Sequence, residues 1–153
     1  MALSINFSTN TKNIQKKFDK FLRKFPHITR KGLDQAGEQL IEIIRTKTTR
    51  GEKYTSGKFP RYSDEYSALK GKTVVDLQDT NRMLQSIKSR TVNNFKNIVY
   101  FGNQQMALRA YWHQTGSGNL PERPFFGFNK KVENVIKKQF ENLISKEMKR
   151  MKL

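Results

Sequence analysis

The stretch Tyr111–Phe128, Tyr-Trp-His-Gln-Thr-Gly-Ser-Gly-Asn-Leu-Pro-Glu-Arg-Pro-Phe-Phe-Gly-Phe, constrains the fold more than any other part of the chain. It holds the only Trp, two of the four prolines and three of the eleven phenylalanines. Pro121 and Pro124 each fix a φ angle, and Gly116 and Gly118 permit turns closed to other residues. The aromatic side chains beside them need burial. The combination reads as a shaped loop clamped to a core, not as a flexible linker. It predicts a rigid bracket between a sheet and a C-terminal helix. Phe125, Phe126 and Phe128 cannot all face one side of an extended segment. At least one is therefore expected in the core of the subunit and another on a surface offered to a neighbour.

The flanking segments read as helices and one hairpin. Ile14, Phe18, Phe21, Leu22 and Phe25 fall on one helical face, which predicts a helix from Asn10 or Thr11 to about Lys24. Pro26 is expected to end it, because the residue before a proline is pushed out of helical geometry. A second helix is expected from Pro26 or Ile28 to Thr46, burying Leu33, Ala36, Gly37, Leu40 and Ile44, with Ile41 and Ile43 widening the stripe. Ser63 is a candidate N-cap for a short helix to Leu69. Asp79 or Thr80 is a candidate cap for one or two turns carrying Met83, Leu84 and Ile87. Alternation over Ser86–Val92, a turn at Asn93-Asn94 and a strand over Lys96–Phe101 predict a β-hairpin. Gln104–His113 reads as a helix. Asn129 is a candidate N-cap for a last helix, with Val132, Val135, Ile136, Phe140, Leu143, Ile144, Met148 and Met151 at helical spacing. The fold class expected is α+β, with long N- and C-terminal helices packed on a small antiparallel β-sheet. Phe18, Leu22, Leu40, Ile44, Val135, Phe140 and Leu143 are expected to share one core.

Residues 47–62 hold five Lys or Arg with Gly51, Gly57 and Pro60. They read as a long, exposed and mobile basic loop in an otherwise single domain spanning 1–153. Tyr54, Phe59 and Tyr62 alternate there with Lys53, Lys58 and Arg61. Rings interleaved with cations suit either an arm packing on a neighbouring subunit or a surface on which bases stack and phosphates meet charge. Arg123, held between two prolines, can pair with a carboxylate of its own fold or of a partner. Trp112, His113, Phe125 and Phe126 complete the candidate interface.

Charge and chemistry narrow the function classes. The 153 residues carry 30 Lys and Arg against 13 Asp and Glu, a net charge of +17 concentrated toward the two ends. Such a field favours nucleic acid or acidic protein surfaces. There is no cysteine, so disulfides and thiolate chemistry are excluded. Two histidines, His27 and His113, leave little for a metal site, and no metal or cofactor is expected. Gly116 and Gly118 lack the third Gly or the Lys of a phosphate-binding loop. His113 as a general base would need an orienting acid and a reacting group, which spacing does not supply; bracing a turn near Gly116 is its structural alternative. Asp64 and Glu65 read as helix-start or Lys-pairing carboxylates. No run is apolar enough for a membrane span, and Met1–Phe7 lacks the pattern of a signal peptide, so cytoplasmic synthesis is expected.

The order of several short motifs resembles one family. Leu77, Asp79, Thr80, Leu84, Ser86 and Ile87 come first. Then come Tyr100-Phe101-Gly102, His113-Gln114-Thr115-Gly116 and Pro121-Glu122-Arg123-Pro124-Phe125. Together with the C-terminal helix they resemble the virion-morphogenesis or tail-completion proteins of tailed phages, of the Mu type. Asn81 stands where that pattern usually has Gly; Asn tolerates the same positive φ. The resemblance implies a non-enzymatic structural subunit of the virion neck or tail top. It implies a homo-oligomeric ring, commonly a hexamer, touching connector or stopper proteins and tail-terminator or tail-tube proteins. Non-specific contact with genomic DNA, but none with membrane, fits that role. The other class left open is a basic nucleic-acid-binding protein.

Overall fold

The structure, a computed structural model, describes residues 11–151. The expected start at Asn10, the segment Met1–Phe7 and Lys152 lie outside the described residues. The elements are α1 (Thr11–Thr49), α2 (Asp64–Lys70), α3 (Arg82–Gln85), β1 (Ile87–Asn93), β2 (Lys96–Phe101), α4 (Gln104–Thr115) and α5 (Lys130–Arg150). This is the α+β arrangement expected, with long first and last helices and a two-stranded antiparallel sheet. Among the described residues no helix is long and apolar enough to cross a membrane.

Pro26 does not break α1, which runs for 39 residues through it. Proline removes one N–H and so strands the carbonyl four residues earlier, that of Leu22. Both Pro26 and Leu22 lie on the exposed side, where that loss costs least. Thr29 donates its hydroxyl to the carbonyls of Phe25 (3.1 Å) and Pro26 (3.0 Å). Packing against α5 holds the helix on both sides of the proline, with Phe21 and Ile28 buried. Tertiary packing, more than propensity, decides helix continuity here.

α5 runs back along α1. Its approach is close because Gly32 presents no side chain: a Cβ there would overlap the Phe140 ring. The hairpin lies across the next turns of α1. Ile87 pairs with Phe101, Ser89 with Val99 and Thr91 with Asn97. Thr91 bonds to Asp34, and Ser89 to Glu38 (3.1 Å). Gly37 again leaves room, here for the Ser89 and Asn97 side chains. The turn falls one residue later than expected, at Asn94-Phe95, because Asn93 still belongs to β1 and pairs with Lys96; the Phe95 N–H donates to Asn93 Oδ1 at 2.9 Å. α5 does not close on the hairpin. An open apolar groove of about 810 Å³ remains between Leu33 and Leu40 of α1, Val99 of β2, and Ile136 and Phe140 of α5.

The core sits at the C-terminal third of α1. Ile41, Ile44, Phe59, Val75, Leu77, Met83, Leu84, Ile87, Met106, Ala110 and Phe125 form it, with Leu40 packed on its edge. The expected shared core is only partly right. Ile44 and Leu40 belong to it, and Phe140 and Leu143 are half-buried over Gly32. Phe18 is 52% exposed and Leu22 51%, and Val135 is exposed as well. Helical spacing marks a face and not what covers it, so Leu22 is exposed beside buried Phe21, and Val135 is exposed in the first turns of α5; toward the start of α1, length adds to this. A helix of 39 residues spans about 58 Å, and one of 21 residues only about 32 Å. The first turns of α1 keep an apolar stripe that α5 does not cover. In its place Phe59, Val75 and Leu77 enter from segments outside regular structure.

Leu84→Ala, at 1% exposure, is expected to cost about 2–5 kcal/mol in denaturant unfolding, and Phe18→Ala less than about 1 kcal/mol. Equal losses would place the α1 stripe inside the monomer core. Gly32→Ala tests the helix crossing by its sign. Helix propensity alone would stabilise by about 1 kcal/mol. The overlap with Phe140 predicts destabilisation instead, read as a lower midpoint.

Candidate interface and basic pocket

The segment Arg123–Phe126 is buried or half-buried and lies in no helix or strand, so its polar groups need partners from elsewhere. Gln114, in the last turns of α4, supplies most of them. Its Oε1 accepts from the N–H groups of Phe125 (3.1 Å) and Phe126 (3.0 Å), and its Nε2 donates to Phe126 O (3.3 Å). The Arg123 N–H donates to His113 O at 2.7 Å, and Pro124 O accepts from Tyr54 N–H at 2.9 Å. Gly116 ends α4 in the left-handed region (φ 67°), which turns the chain back. This is the bracket expected from the sequence. Phe125 is 1% exposed and fills the core, Phe126 stacks near Phe101 with ring centres 4.7 Å apart, and Phe128 is exposed.

Residues 47–62 depart from the expected long exposed loop. The end of α1 passes into a small hairpin closed by the Glu52–Lys58 bridge. Lys53 N–H donates to Gly57 O (3.0 Å) and Phe59 N–H to Gly51 O (2.8 Å). Asn129 Nδ2 donates to the carbonyls of Tyr54 (3.0 Å) and Thr55 (2.9 Å), while its Oδ1 caps α5 by accepting from Val132 N–H. Gly127 lies over the Tyr54 ring. Phe59 is 5% exposed. Both rings thus face the protein, and Phe59 offers no surface to a partner. Lys53 is half-buried, and Lys58 is exposed and paired with Glu52 at 3.2 Å. The composition reads as loop, but bonds within the segment are joined by others from residues more than 60 positions away.

Four of the candidates meet. Arg61, Tyr62, His113 and Arg123 line one cavity of about 480 Å³, together with Tyr66, Lys70, Leu77, Asp79, Leu120 and Pro121. Arg123 is 3% exposed. Its Nε donates to Pro60 O and its Nη2 to Arg61 O, each at 3.3 Å, and the guanidinium stacks 5.0 Å from the Tyr62 ring centre. Of the alternatives open in the sequence, its partners within the fold are carbonyls and a ring rather than a carboxylate. Burial lowers its affinity for the proton, while Tyr62 and Tyr66 oppose that shift. The imidazole of His113 sits beside it. His113 Nδ1 is buried and has no hydrogen-bond partner among the described residues. It is the backbone carbonyl of His113, not its ring, that braces the turn.

Tyr66 and Lys70 were not singled out in the sequence. With Tyr62 they stand at i, i+4 and i+8, one face leading into α2, whose cap Ser63 accepts from Tyr66 N–H as expected. Lys70 donates to Tyr62 Oη (3.2 Å) and to the buried Asp76, which Lys72 also reaches at 3.2 Å. Burial works to raise the Asp76 carboxyl, but the bonds from Lys70, Gln78 N–H and Lys72 outweigh it and hold it below the usual range. Asp79 and Thr80 do not cap α3. Asn81 precedes it in the left-handed region (φ 58°) with no side-chain cap bond, the conformation expected for Asn in a Gly position. Asp64 and Glu65 fall in the first turn of α2, where carboxylates suit the helix dipole.

Trp112 stands on the outer face of α4 with Leu108 and Tyr111, all exposed. Three large apolar side chains at i, i+3 and i+4 make a patch that faces away from the core. The sequence named only Trp112. Leu108 and Tyr111 share its helical face, a spacing that periodicity alone assigns to a buried side.

Burial, and then the Arg123 charge, lower the His113 pKa below its ordinary 6.5. Arg61, Lys70 and Asp79 are the other charged groups around the cavity. A depressed folded-state pKa means that the unfolded chain binds the proton first as pH falls. The stability that goes with neutral His113 is complete above about pH 6.5. It is lost as pH drops toward the lower folded value. Between pH 7.5 and 5 the thermal midpoint of His113→Gln should therefore fall less steeply than that of the parent. Parallel curves would show that His113 titrates as it does in the unfolded chain.

Comparison of the chain with family models, curated proteins and solved structures finds no match.

Proposed function

We propose that this chain is a structural subunit of a tailed-phage neck or tail-top ring, joining the head connector to the tail. The observation that carries the reading is the convergence of the residues that bear the family resemblance. Leu77, Leu84 and Ile87 share one buried cluster with Phe125. Gly102 N–H donates to Ser86 O at 2.7 Å, and Gln114 holds Phe125 and Phe126. Motifs scattered over 77–128 thus support a single clamp. A subunit of this kind needs rigid geometry and outward apolar patches more than a reacting centre. The α4 face of Leu108, Tyr111 and Trp112 and the α1 stripe of Ile14, Phe18 and Leu22 provide such patches on a strongly cationic molecule.

On this reading the chain forms a homo-oligomeric ring, a hexamer by resemblance, in the neck or tail of the virion. It meets connector or stopper proteins on one side and tail-terminator or tail-tube proteins on the other. It is not an enzyme, and His113 acts within the fold. The net charge of +17 favours loose contact with packaged DNA. The alternative, a dedicated nucleic-acid-binding protein, draws on the same charge. It loses the base-stacking platform of residues 47–62, because Phe59 and Tyr54 face inward.

Virion-assembly complementation, with light scattering on the purified subunit mixed with its neck partners, tests the proposal. Leu108→Glu with Trp112→Glu alters only exposed positions and should leave the thermal midpoint within a few degrees. It should abolish ring formation and tail joining. A folded double variant that still assembles would remove α4 from the interface. A parent chain that stays monomeric with every neck protein, yet binds duplex DNA with a defined footprint, would replace the structural reading by the nucleic-acid one.

A further inference from the structure

The cavity beside α2 holds an unbalanced charge. Arg123 is 3% exposed and is met by two carbonyls and the Tyr62 ring, with no carboxylate among its bonds. A buried guanidinium without a counter-charge is costly. Close by, the chain treats Lys70 differently, giving it the buried carboxylate of Asp76. Arg61 is exposed at the cavity and adds a second cation, against one acidic lining residue, Asp79. His113 Nδ1 is buried and unpartnered beside them. We propose that this cavity is a receptor for a carboxylate side chain, Asp or Glu, presented by an acidic segment of a partner protein, with Arg123 and Arg61 as its anion-binding groups. The volume of about 480 Å³ admits a side chain, and Leu120 and Pro121 give its methylenes an apolar wall. The recessed position of Arg123 disfavours the phosphates of a duplex, which lie on the surface of a broad rod. The site is independent of the ring reading, because it concerns the isolated chain and a peptide.

The test is titration of the full chain with a short blocked peptide bearing central glutamates, followed by the fluorescence of Trp112, the residue next to His113. Its glutamine counterpart, inorganic phosphate and a short duplex DNA serve as competing probes. The glutamate peptide should bind and the glutamine peptide should not. Arg61→Ala, an exposed change, should weaken binding by about tenfold, the loss of one charge-assisted hydrogen bond. Arg123→Lys should do so at least as strongly if it folds; if it does not, Arg61→Ala decides alone. Lys16→Gln with Lys146→Gln removes two exposed cations from the far ends of α1 and α5 and should change affinity little. A loss as large as that of Arg61→Ala would mean general attraction to a cationic protein, and the receptor would be refuted. So would equal binding of the glutamine peptide, or no binding at millimolar peptide. Phosphate or duplex that displaces the peptide and depends on Arg61 more strongly than the peptide does would overturn the carboxylate assignment.

Discussion

The buried but irregular run Arg123–Phe126 imposes the constraint on which the rest of the structure depends. Phe125 must be in the core for that core to close, yet no strand pairs its backbone. An unmet buried N–H or C=O costs about 1–3 kcal/mol, so the run is tenable only where other groups reach it. Gln114 reaches it from α4, Tyr54 N–H from the hairpin after α1, and His113 O from the end of α4. The end of α4 and the hairpin after α1, far apart in sequence, are thereby fixed to the same run. Arg45 does a similar service on the other side of the core, donating to the carbonyls of Leu84 (3.0 Å) and Ile87 (3.1 Å) where α3 passes into β1. The cation sits at the negative end of that turn, which adds electrostatic support.

Around this clamp α1 serves as a spine with two unlike ends. Its C-terminal third carries the core and the hairpin. Its first turns carry an apolar stripe and a dense set of lysines. Like charges at net +17 oppose association, and physiological salt screens them only beyond about 8 Å. Any self-assembly must therefore rest on apolar faces large enough to outweigh that repulsion. The α4 patch and the α1 stripe are exposed apolar faces among the described residues.

What the sequence made legible was local. The hairpin follows from alternation and from the asparagines that mark its turn to within one residue, and Ser63 and Asn129 cap the helices that they precede. What it hid was set by distant partners. Pro26 reads as a stop, but α5 crosses both sides of it. Residues 47–62 read as an open loop because Gly, Pro and Lys dominate, and one buried Phe59 does not show in composition. Leu22 and Phe18 read as core because periodicity reports a face and not what covers it. The cavity was half legible: Arg61 and Tyr62 stand out as part of a basic-aromatic segment, His113 and Arg123 for their own chemistry, and only the fold brings them together. Lys70 and Tyr66 were overlooked, although their spacing from Tyr62 places them on one face.

The contrast between buried Arg123 and half-buried Lys70 bears on how the cavity is kept. Lys70 is flexible and takes its place through Asp76, so its position and its charge are settled together. Arg123 is set between two prolines, and its planar fork is aimed by the carbonyls of residues 60 and 61. Those carbonyls orient the guanidinium without cancelling its charge. They follow directly on the hairpin that Asn129 and Pro124 anchor, so the aim of Arg123 is held by the clamp itself. A group fixed in this way pays little ordering cost when an anion arrives. The same clamp that closes the core therefore also holds the Arg123 charge at the cavity wall, and loosening it would disturb both.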